Sequence, residues 1–481
     1  MSKIVLRQFN QGGIAPSKYE GRANSLAESV GVNFHDVPGV FFANWALSKE
    51  SSTTIDSLVK VMVVSSDNKV YAFSSTSGKV WARATNGTWS LVYTTSPETG
   101  AAGCLGAVEY NGYIYWATQS RLHRIAVADT ADWATNAVPD WKDFLIGDAE
   151  YHPMLVMDNR LYIGDGSNLV QVRYDSDLDD TLFTGNALRI YPPQRIKCLA
   201  KLDFDILIGS VVDSYVNKST IYRWNRYSDS WIVEDELDSL SINAFIPVDN
   251  YVLISAGVNG EIFSYDGQFM ELIYQLPGIY SSAAQVTIHP EATAYYLGKP
   301  IFGVSNVTGN PVSQGVYSLA TKNPALYPRV LNLEYVISTG HTSSIEIGAI
   351  EVRGNELFVA WKDGTSYGVD KISTTTRYNG AYIVSRIMTI DRDLEDNLHS
   401  IIAEYASMPS GCSLSAYLKA SHASSWGTAI ALTDDTVKKI AYSDEMKVGT
   451  NFQLKIVFNT TGIYTPEVEA VKIEVNKGYD D

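Results

Sequence analysis

Short apolar runs recur along most of this chain at a nearly constant spacing. Seven of them follow a tight turn, and their reference residues are Val70, Ile114, Leu161, Ile206, Val252, Ile301 and Leu357. The steps between these residues are 44, 47, 45, 46, 49 and 56. A period in the forties with several strands per repeat is typical of a β-propeller, in which each repeat forms one four-stranded blade. The pattern predicts an all-β fold with a seven-bladed β-propeller over residues 57–390.

The turns between the runs have the chemistry that β-hairpins need. In the first repeat the predicted strands are Lys60–Ser65, Lys69–Ser74, Lys79–Arg83 and Trp89–Tyr93. The links between them contain Asp67-Asn68, Ser77-Gly78 and Asn86-Gly87. Asn, Asp and Gly tolerate the positive φ of tight turns. Later repeats carry the same residue types at the same points, which supports one strand pattern for every blade.

Two segments of the chain do not follow the repeat. Residues 1–56 are rich in turn residues and hold one apolar run, Val40–Leu47, so we interpret them as an extended arm with one docked strand. After a charged link at 391–396, six alternating runs follow at Ser400–Tyr405, Ser413–Lys419, Thr428–Leu432, Lys438–Tyr442, Phe452–Phe458 and Val468–Val475. Six short strands separated by turns predict a small antiparallel β-sandwich over residues 391–481.

Composition and charge narrow the class of protein. A chain of 481 residues is long enough for two or three domains. The net charge of −16 argues against a protein that coats nucleic acid, because phosphate binding needs clustered Lys and Arg. No apolar run approaches the roughly 18 residues of a membrane helix, and Met1–Gly13 lacks the apolar centre of a signal peptide. The sequence therefore predicts no membrane anchor.

Cysteine and histidine do not indicate a metal site. Cys104, Cys198 and Cys412 are far apart and lie in strand-like runs, so we expect buried thiols. The seven histidines lack the spacing of metal-ligand pairs; they are His35, His123, His152, His289, His341, His399 and His422. The acidic stretch Asp175–Asp180 lacks the Gly and Glu that an EF-hand loop requires, so we interpret it as a solvated hairpin.

Catalytic motifs are likewise missing from the sequence. It contains no Gly-x-Ser-x-Gly elbow, His-Glu-x-x-His motif or phosphate-binding glycine loop. Propeller glycosidases use paired carboxylates, but Asp158, Asp203, Asp205 and Asp249 all lie in turns between first and second strands, where turn formation explains them. Trp224, Tyr227, Trp231 and Trp426 could stack on sugars, although such residues more often pack in cores. The sequence predicts no enzyme, and no catalytic, cofactor-binding or metal-binding residues.

Both ends of the chain carry short motifs that resemble tailed-bacteriophage virion proteins. At the start these are Phe9–Ile14, Tyr19, Gly21, Asn24–Val32 and Pro38-Gly39, similar to virion proteins in which a Gly-Gly turn precedes a β-propeller. At the end they are Phe452–Phe458, Thr465–Val468 and Val471–Val475, which resemble the C-terminal sandwich strands of phage tail proteins. The whole chain resembles the propeller-bearing tail nozzle and tail-tip proteins.

The resemblance implies a structural virion protein, made in the host cytoplasm and assembled into a ring of copies in the tail or head–tail region. Such a ring surrounds the DNA exit path, contacts neighbouring tail or head–tail proteins and lets DNA pass during ejection without specific binding. An acidic lumen would suit that role, because like charges avoid phosphate contact. The alternative is a glycan-binding or glycan-cleaving propeller, such as a receptor-binding tail component. A third hypothesis is a cytoplasmic propeller scaffold.

We expect the arm to pack on the final blade or beside the C-terminal sandwich, since a propeller must protect the edges of its first and last blades. Deletion of residues 1–50 should then lower the melting temperature clearly, as measured by circular dichroism. An unchanged melting temperature would contradict this expectation.

Overall fold

A computed structural model of the chain shows two compact units. It describes residues 2–19, 21, 24–37, 39–50, 55–95, 103–147, 150–178, 180–212, 218–248, 251–276, 286–306, 314–320, 329–340, 345–390, 397–405, 407–420, 422–435, 438–447 and 451–475. The propeller unit consists of Lys49–Gln314 and His341–Lys371. The terminal unit consists of Met1–Ser48, Gly315–Gly340 and Ile372–Asp481. The predicted link at 391–396 lies outside the described residues.

The first five blades of the propeller unit are complete four-stranded antiparallel sheets. Blade 1 is Val59–Val64, Val70–Ser74, Lys79–Arg83 and Trp89–Thr94; blade 2 is Gly106–Tyr110, Tyr113–Ala117, Arg121–Ala126 and Val138–Asp143. Blade 3 is Met154–Met157, Arg160–Asp165, Asn168–Asp175 and Asp180–Arg189; blade 4 is Gln194–Leu202, Asp205–Val212, Ser219–Trp224 and Val233–Leu237. Blade 5 is Ile242–Pro247, Val252–Ala256, Glu261–Tyr265 and Met270–Gln275. The strands of blade 1 match their predicted bounds to within one residue.

The last two blades complete the ring. In blade 6, three strands belong to the propeller unit: Val286–Thr287, Thr293–Tyr296 and Lys299–Asn306. Blade 7 contains Ile345–Arg353, Glu356–Asp363 and Ser366–Arg377. Trp45–Lys49 forms a further strand of the N-terminal segment. The first strand of each blade lies beside the first strand of the next, and that of blade 7 lies beside that of blade 1. The predicted seven-bladed β-propeller is confirmed.

Burial explains why the second strands dominate the sequence pattern. A blade packs against a neighbour on both faces, so its inner strands are apolar without alternation. All five residues of Val70–Ser74 are buried. Between blades 1 and 2, Tyr71, Trp116 and Trp133 share one core, with the two indole centroids 5.5 Å apart. The propeller unit contains only short helical turns among its described residues, Val127–Asp129 and Trp133–Asn136.

The terminal unit is a sandwich of two sheets. One sheet has the order Ser2–Arg7, Val468–Val475, Asn397–Tyr405, Lys438–Lys447 and Thr433–Asp435. The other has the order Gly315–Ala320, Val330–Tyr335, Leu26–Val30, Ala381–Ser385, Asn451–Asn459, Ser413–Ala420 and Ile430–Ala431, with Met388–Thr389 paired to Asn451–Asn459. Val32–Asn33 pairs with Phe42–Ala43, and Phe9–Gly12 forms one helical turn. Ile401 and Ile473 from the first sheet meet Ile383 and Ile456 from the second in one core.

The sandwich contains more of the chain than the repeat pattern indicates. Residues 315–340 and 372–390, which the pattern assigns to the propeller, belong to the terminal unit. The first 56 residues also hold five described strands where the sequence predicts one. Periodicity reports only that a segment is a strand, and it carries no information on which sheet that strand joins.

The N-terminal apolar run docks within the terminal unit, as its composition predicts. Phe41 is 1% exposed. Its N–H donates to the Val468 carbonyl at 2.9 Å, and the Val468 N–H returns a bond of 3.0 Å. The ring of Phe41 packs edge-on against Phe458 at 5.9 Å between centroids. The start of the chain therefore supplies core residues to the C-terminal sandwich.

One side chain joins the last blade to the first. The Glu50 N–H donates to the Val369 carbonyl of blade 7 at 3.0 Å. Its carboxylate accepts from Arg83 Nε at 2.7 Å and Nη2 at 2.5 Å, and from Trp89 Nε1 at 2.9 Å, all in blade 1. The Glu50 and Arg83 side chains are only 8% and 3% exposed. The Arg83 guanidinium also lies 5.0 Å from the ring centroid of Phe358 in blade 7.

Glu50→Gln should lower the free energy of unfolding by about 3 kcal/mol, because it leaves the buried Arg83 charge uncompensated. The measurement is urea unfolding followed by tryptophan fluorescence. Glu236→Gln is the matched control, since Glu236 pairs with Lys218 on the exposed surface and its loss should change little. Equal stability of the two variants would show that the Glu50 contact does not hold the blades together.

Candidate functional site

Polar side chains enter the apolar first strands at matched positions in several blades. The strand register shifts between Val59 and Val61, Ile196 and Cys198, Ile242 and Ala244, and Ile347 and Ala349. The extra residues at these bulges are Lys60, Lys197, Asn243 and Gly348. A bulge re-aims a side chain out of the pleat. Lys197 Nζ donates to Ser241 Oγ at 2.9 Å and Asn243 Oδ1 at 3.0 Å, so blades 4 and 5 meet there.

A hydrogen bond between His289 of blade 6 and Glu346 of blade 7 adds to this group. His289 Nε2 lies 3.0 Å from Glu346 Oε1, and Lys362 Nζ lies 3.5 Å from Glu346 Oε2. The hydrogen bond from His289, aided by the Lys60 and Lys362 charges, lowers the pKa of Glu346 to about 2. Burial lowers the pKa of His289 despite Glu346. At neutral pH this geometry describes a neutral imidazole that donates to an ionised carboxylate.

Charges from four different blades act on one another across the axis. Lys60 of blade 1 acts electrostatically on Lys197 of blade 4, His289 of blade 6 and Glu346 of blade 7. Burial, opposed only in part by Glu150, lowers the pKa of Lys197 to about 8. All of these residues lie in or next to first strands, and the first strands lie side by side around the ring. We call Lys60, Lys197, His289, Glu291, Glu346 and Glu351 the axial cluster.

The surroundings of two carboxyl groups of the axial cluster, those of Glu291 and Glu351, disfavour their ionised form. Burial raises the pKa of Glu291 to about 7, and burial together with repulsion from Glu291 raises that of Glu351 to about 7. The Ile350 N–H donates to the Glu291 carbonyl at 2.9 Å, so the turn that holds Glu291, just before strand Thr293–Tyr296, lies beside strand Ile345–Arg353 of blade 7. Glu351 accepts one hydrogen bond, from the Val352 N–H at 3.1 Å. Within the described residues, the Glu291 carboxyl accepts none.

Glu291 lines a cavity of about 300 Å³ between the first strands of blades 3 to 6. Polar and apolar atoms share its wall, which includes Met154, Leu155, Leu199, Ala200, Phe245, Val248 and Pro290, together with Cys198, Lys201 and Thr293. Lys201 is exposed. The cavity therefore presents a carboxyl group next to a hydrophobic surface, an arrangement suited to a ligand with one polar and one apolar part.

The turn carboxylates named in the sequence analysis do not join the axial cluster. Asp158 forms an ion pair with Arg226, and Asp205 pairs with Arg223 Nε at 2.5 Å. Asp158 and Asp203 have φ values of 48° and 53°, so the turn interpretation is confirmed for these two residues. Asp249 lies outside the described residues.

The aromatic residues considered for sugar stacking mostly pack against other side chains of the protein. Trp224 is 2% exposed and belongs to a core, whereas Tyr227 is 77% exposed. The ring of Trp231 packs 4.9 Å from that of Tyr222, and Trp426 lies beside the Lys419 ammonium. The aromatic set therefore does not form one stacking platform.

The remaining polar candidates adopt local turns or buried positions. Asp175 Oδ1 accepts from the Asp177 and Leu178 N–H groups, as a hairpin turn requires; Asp179 lies outside the described residues. The prediction of buried free thiols is confirmed for Cys104, Cys198 and Cys412. Within the described residues, no group of three or more His, Cys, Asp or Glu side chains could hold a metal ion. Nor does any helix in that part of the chain have the length and apolar character to cross a membrane.

The sequence pattern does not indicate the axial cluster as a group. Its signal is a charged residue between apolar neighbours in a first strand, as in Val59-Lys60-Val61, Ile196-Lys197-Cys198 and Ile345-Glu346-Ile347. Alternation alone places such residues on a solvated face. Only the ring, which brings the first strands of all blades together, shows that these charges face one another.

Comparisons with known proteins return structural neighbours. Neither a protein-family model nor a curated protein matches this sequence. The extracellular domain of a putative hybrid two-component system from B. thetaiotaomicron is 14% identical with a TM-score of 0.48; the match covers 84% of this chain and 47% of that one. This chain thus spans about half the length of that neighbour.

Two further neighbours are single propeller-like domains. The Pan2 WD40 domain of Neurospora crassa is 11% identical with a TM-score of 0.43, over 67% of this chain and 91% of that one. A catalytically inactive virginiamycin B lyase from Staphylococcus aureus is 12% identical with a TM-score of 0.45, over 69% of this chain and 100% of that one. At such identities the similarity concerns fold alone.

The raised pKa values of Glu291 and Glu351 predict a pH-dependent stability. Both groups bind their protons more tightly in the folded chain than at their ordinary pKa of 4.5. The unfolding free energy should therefore fall as pH rises from 4.5 to 7, by up to roughly 3 kcal/mol per carboxyl. Replacing both residues with Gln should remove this fall, so the variant should become the more stable protein above pH 7.

Urea unfolding at pH 5 and pH 8.5 measures this effect. Glu271→Gln, a change at an exposed carboxylate of blade 5, serves as the control and should keep the pH dependence of the original chain. A double variant that loses stability equally at both pH values would contradict the prediction. His289 and Glu346 are unchanged in all three proteins, so their own titration cancels in the comparison.

Proposed function

We propose that this protein is a structural component of a tailed-bacteriophage particle, assembled as a ring of copies in the tail or head–tail region. The observation that carries the proposal is that both sets of motifs behind the phage resemblance lie in the terminal unit and build its core. Leu26, Val30 and Val32 from the first set are buried. Strands Asn451–Asn459 and Val468–Val475 from the second set belong to the two sheets that enclose the same core.

The Gly-Gly turn of the first motif has a specific structural task. A Cβ atom at Gly12 would lie 2.4 Å from the backbone of Asn24, and one at Gly13 would lie 2.8 Å from the Leu331 carbonyl oxygen. Gly13 also has a φ of 61°, a conformation that favours glycine. The next residue, Ile14, donates its N–H to the Leu331 carbonyl at 2.9 Å. The motif thus folds the start of the chain onto strand Val330–Tyr335.

Charge supports the same role. A net charge of −16 disfavours adhesion to DNA phosphates, which a component around a DNA path must avoid. Symmetric rings use a repeated interface between copies. In this proposal the chain contacts copies of itself and adjacent tail or head–tail proteins, passes DNA without specific binding during ejection and has no catalytic task.

Quantitative mass spectrometry of purified virus particles from the source culture tests the proposal. The expected result is a stoichiometric signal at a small, symmetric copy number relative to the major shell protein. Electron microscopy of the same particles would then locate the ring. Absence of the chain from particles would refute the structural role.

A glycan-cleaving propeller is the second candidate, favoured by Glu291 and Glu351. Glycoside hydrolysis needs a protonated carboxylic acid and a partner carboxylate, and carboxyl groups with a pKa near 7 supply both protonation states at neutral pH. In this case Glu291→Gln should abolish release of sugar from host surface glycans, while Glu271→Gln should not. No release by the unmodified chain would eliminate this candidate.

A further inference from the structure

One carboxyl group, that of Glu291, lines the cavity between the first strands of blades 3 to 6 and accepts no hydrogen bond from the described residues. Among the described residues no donor reaches the Glu291 carboxyl, and burial is the cause of its raised pKa. The Glu291 residue is partly exposed, so its ionised carboxyl has lost part of its water beside the cavity wall and has gained no protein donor in return, which costs free energy. A site of this kind gains stability when a ligand brings the missing positive charge.

The surroundings of Glu291 favour an organic cation over a metal ion. Hard cations such as Ca²⁺ need several oxygen ligands, and no suitable group of His, Cys, Asp and Glu exists among the described residues. Met154, Leu155 and Phe245 instead give the cavity an apolar wall. An ammonium group can pair with one carboxylate and leave its other N–H groups to water, which the partial exposure of Glu291 allows, while its hydrocarbon part is buried.

The chain does not provide that cation itself. Lys201 lies on the cavity rim, but its side chain is exposed, where water and salt screen its charge. Lys197 is turned to Ser241 and Asn243. The Glu351 carboxyl on the adjoining strand adds negative potential, since the two carboxyl groups repel each other. The volume of about 300 Å³ is at the lower end of the roughly 300–1,000 Å³ typical of ligand pockets.

We propose that this axial cavity binds a small primary alkylammonium ion, with the ammonium group on the Glu291 carboxylate and the alkyl chain against Met154, Leu155 and Phe245. The site goes beyond the proposed virion role and does not depend on it. It involves no covalent step: binding exchanges a hydrated ammonium ion for one paired with Glu291. A neutral molecule of the same shape gains only the apolar contacts, so charge and shape together define the ligand class.

Isothermal titration calorimetry of the full chain with n-butylammonium chloride at pH 8.5 tests the proposal. At this pH Glu291 is mostly ionised, since its pKa lies at about 7. We expect saturable binding of one ion per chain. Glu291→Gln should weaken it by about tenfold or more, as expected for loss of a charged hydrogen-bond acceptor. Glu271→Gln should bind as the unmodified chain does.

Two further measurements separate charge from shape. 1-Butanol, which has the same chain length without the charge, should bind at least about tenfold more weakly than n-butylammonium. Ala200→Leu narrows the apolar part of the cavity, so it should weaken n-butylammonium more than methylammonium. Thermal unfolding of each variant confirms that it is folded.

The outcomes decide the proposal in either direction. It is overturned if folded protein binds no n-butylammonium at millimolar concentration, if Glu291→Gln binds it equally well, or if 1-butanol binds as tightly. An affinity for methylammonium and n-butylammonium that Ala200→Leu reduces equally would also overturn it, because the alkyl chain would then lie elsewhere.

Discussion

Ring closure is the constraint on which the propeller depends, and the buried contact of Glu50 with Arg83 and Trp89 meets it. Each blade of a ring needs a neighbour on both faces, so a gap anywhere exposes two apolar sheets to water. The backbone of Glu50 bonds to blade 7 and its carboxylate to blade 1. At the same junction, a Cβ atom at Gly348 would lie 2.1 Å from the Val59 carbonyl oxygen, so only glycine permits the approach.

A closed ring also brings the polar and charged side chains of the first strands together at its centre. Charges on the outer surface of a protein are spread out and screened by water. At the centre of a propeller, by contrast, the first strands of all seven blades lie side by side. Bulges at Lys60, Lys197 and Asn243 direct polar side chains to this place. The desolvation that follows lowers the pKa of Lys197 and raises that of Glu291. The unusual protonation behaviour of the axial cluster is thus a direct product of the architecture.

The sequence predicted the blades well because their strand pattern is local. A hairpin such as that around Asn68 needs only its own turn residues, and Val70–Ser74 is apolar because its immediate neighbours in sequence form the same sheet. The partner of a distant segment leaves no such local trace. Residues 315–340 look like propeller strands yet belong to the terminal unit, and the axial charges meet only when non-adjacent blades close into a ring. The phage role and the alkylammonium site remain proposals.

The terminal unit pairs two strands that are far apart in sequence, Ser2–Arg7 and Val468–Val475. During synthesis, Ser2–Arg7 has no pairing partner until Val468–Val475 leaves the ribosome. Every residue of the propeller unit precedes Val468 in the chain and emerges earlier. The backbone of Phe41 likewise lacks its hydrogen-bonding partner until Val468 has been synthesised. Because a contact of such long sequence separation closes late and slowly, a chain that stops before Val468 leaves the apolar segment around Phe41 without this partner. Chaperones and proteases recognise exposed apolar surface, so protection of Ser2–Arg7 and Phe41 depends on the synthesis of residues 468–475.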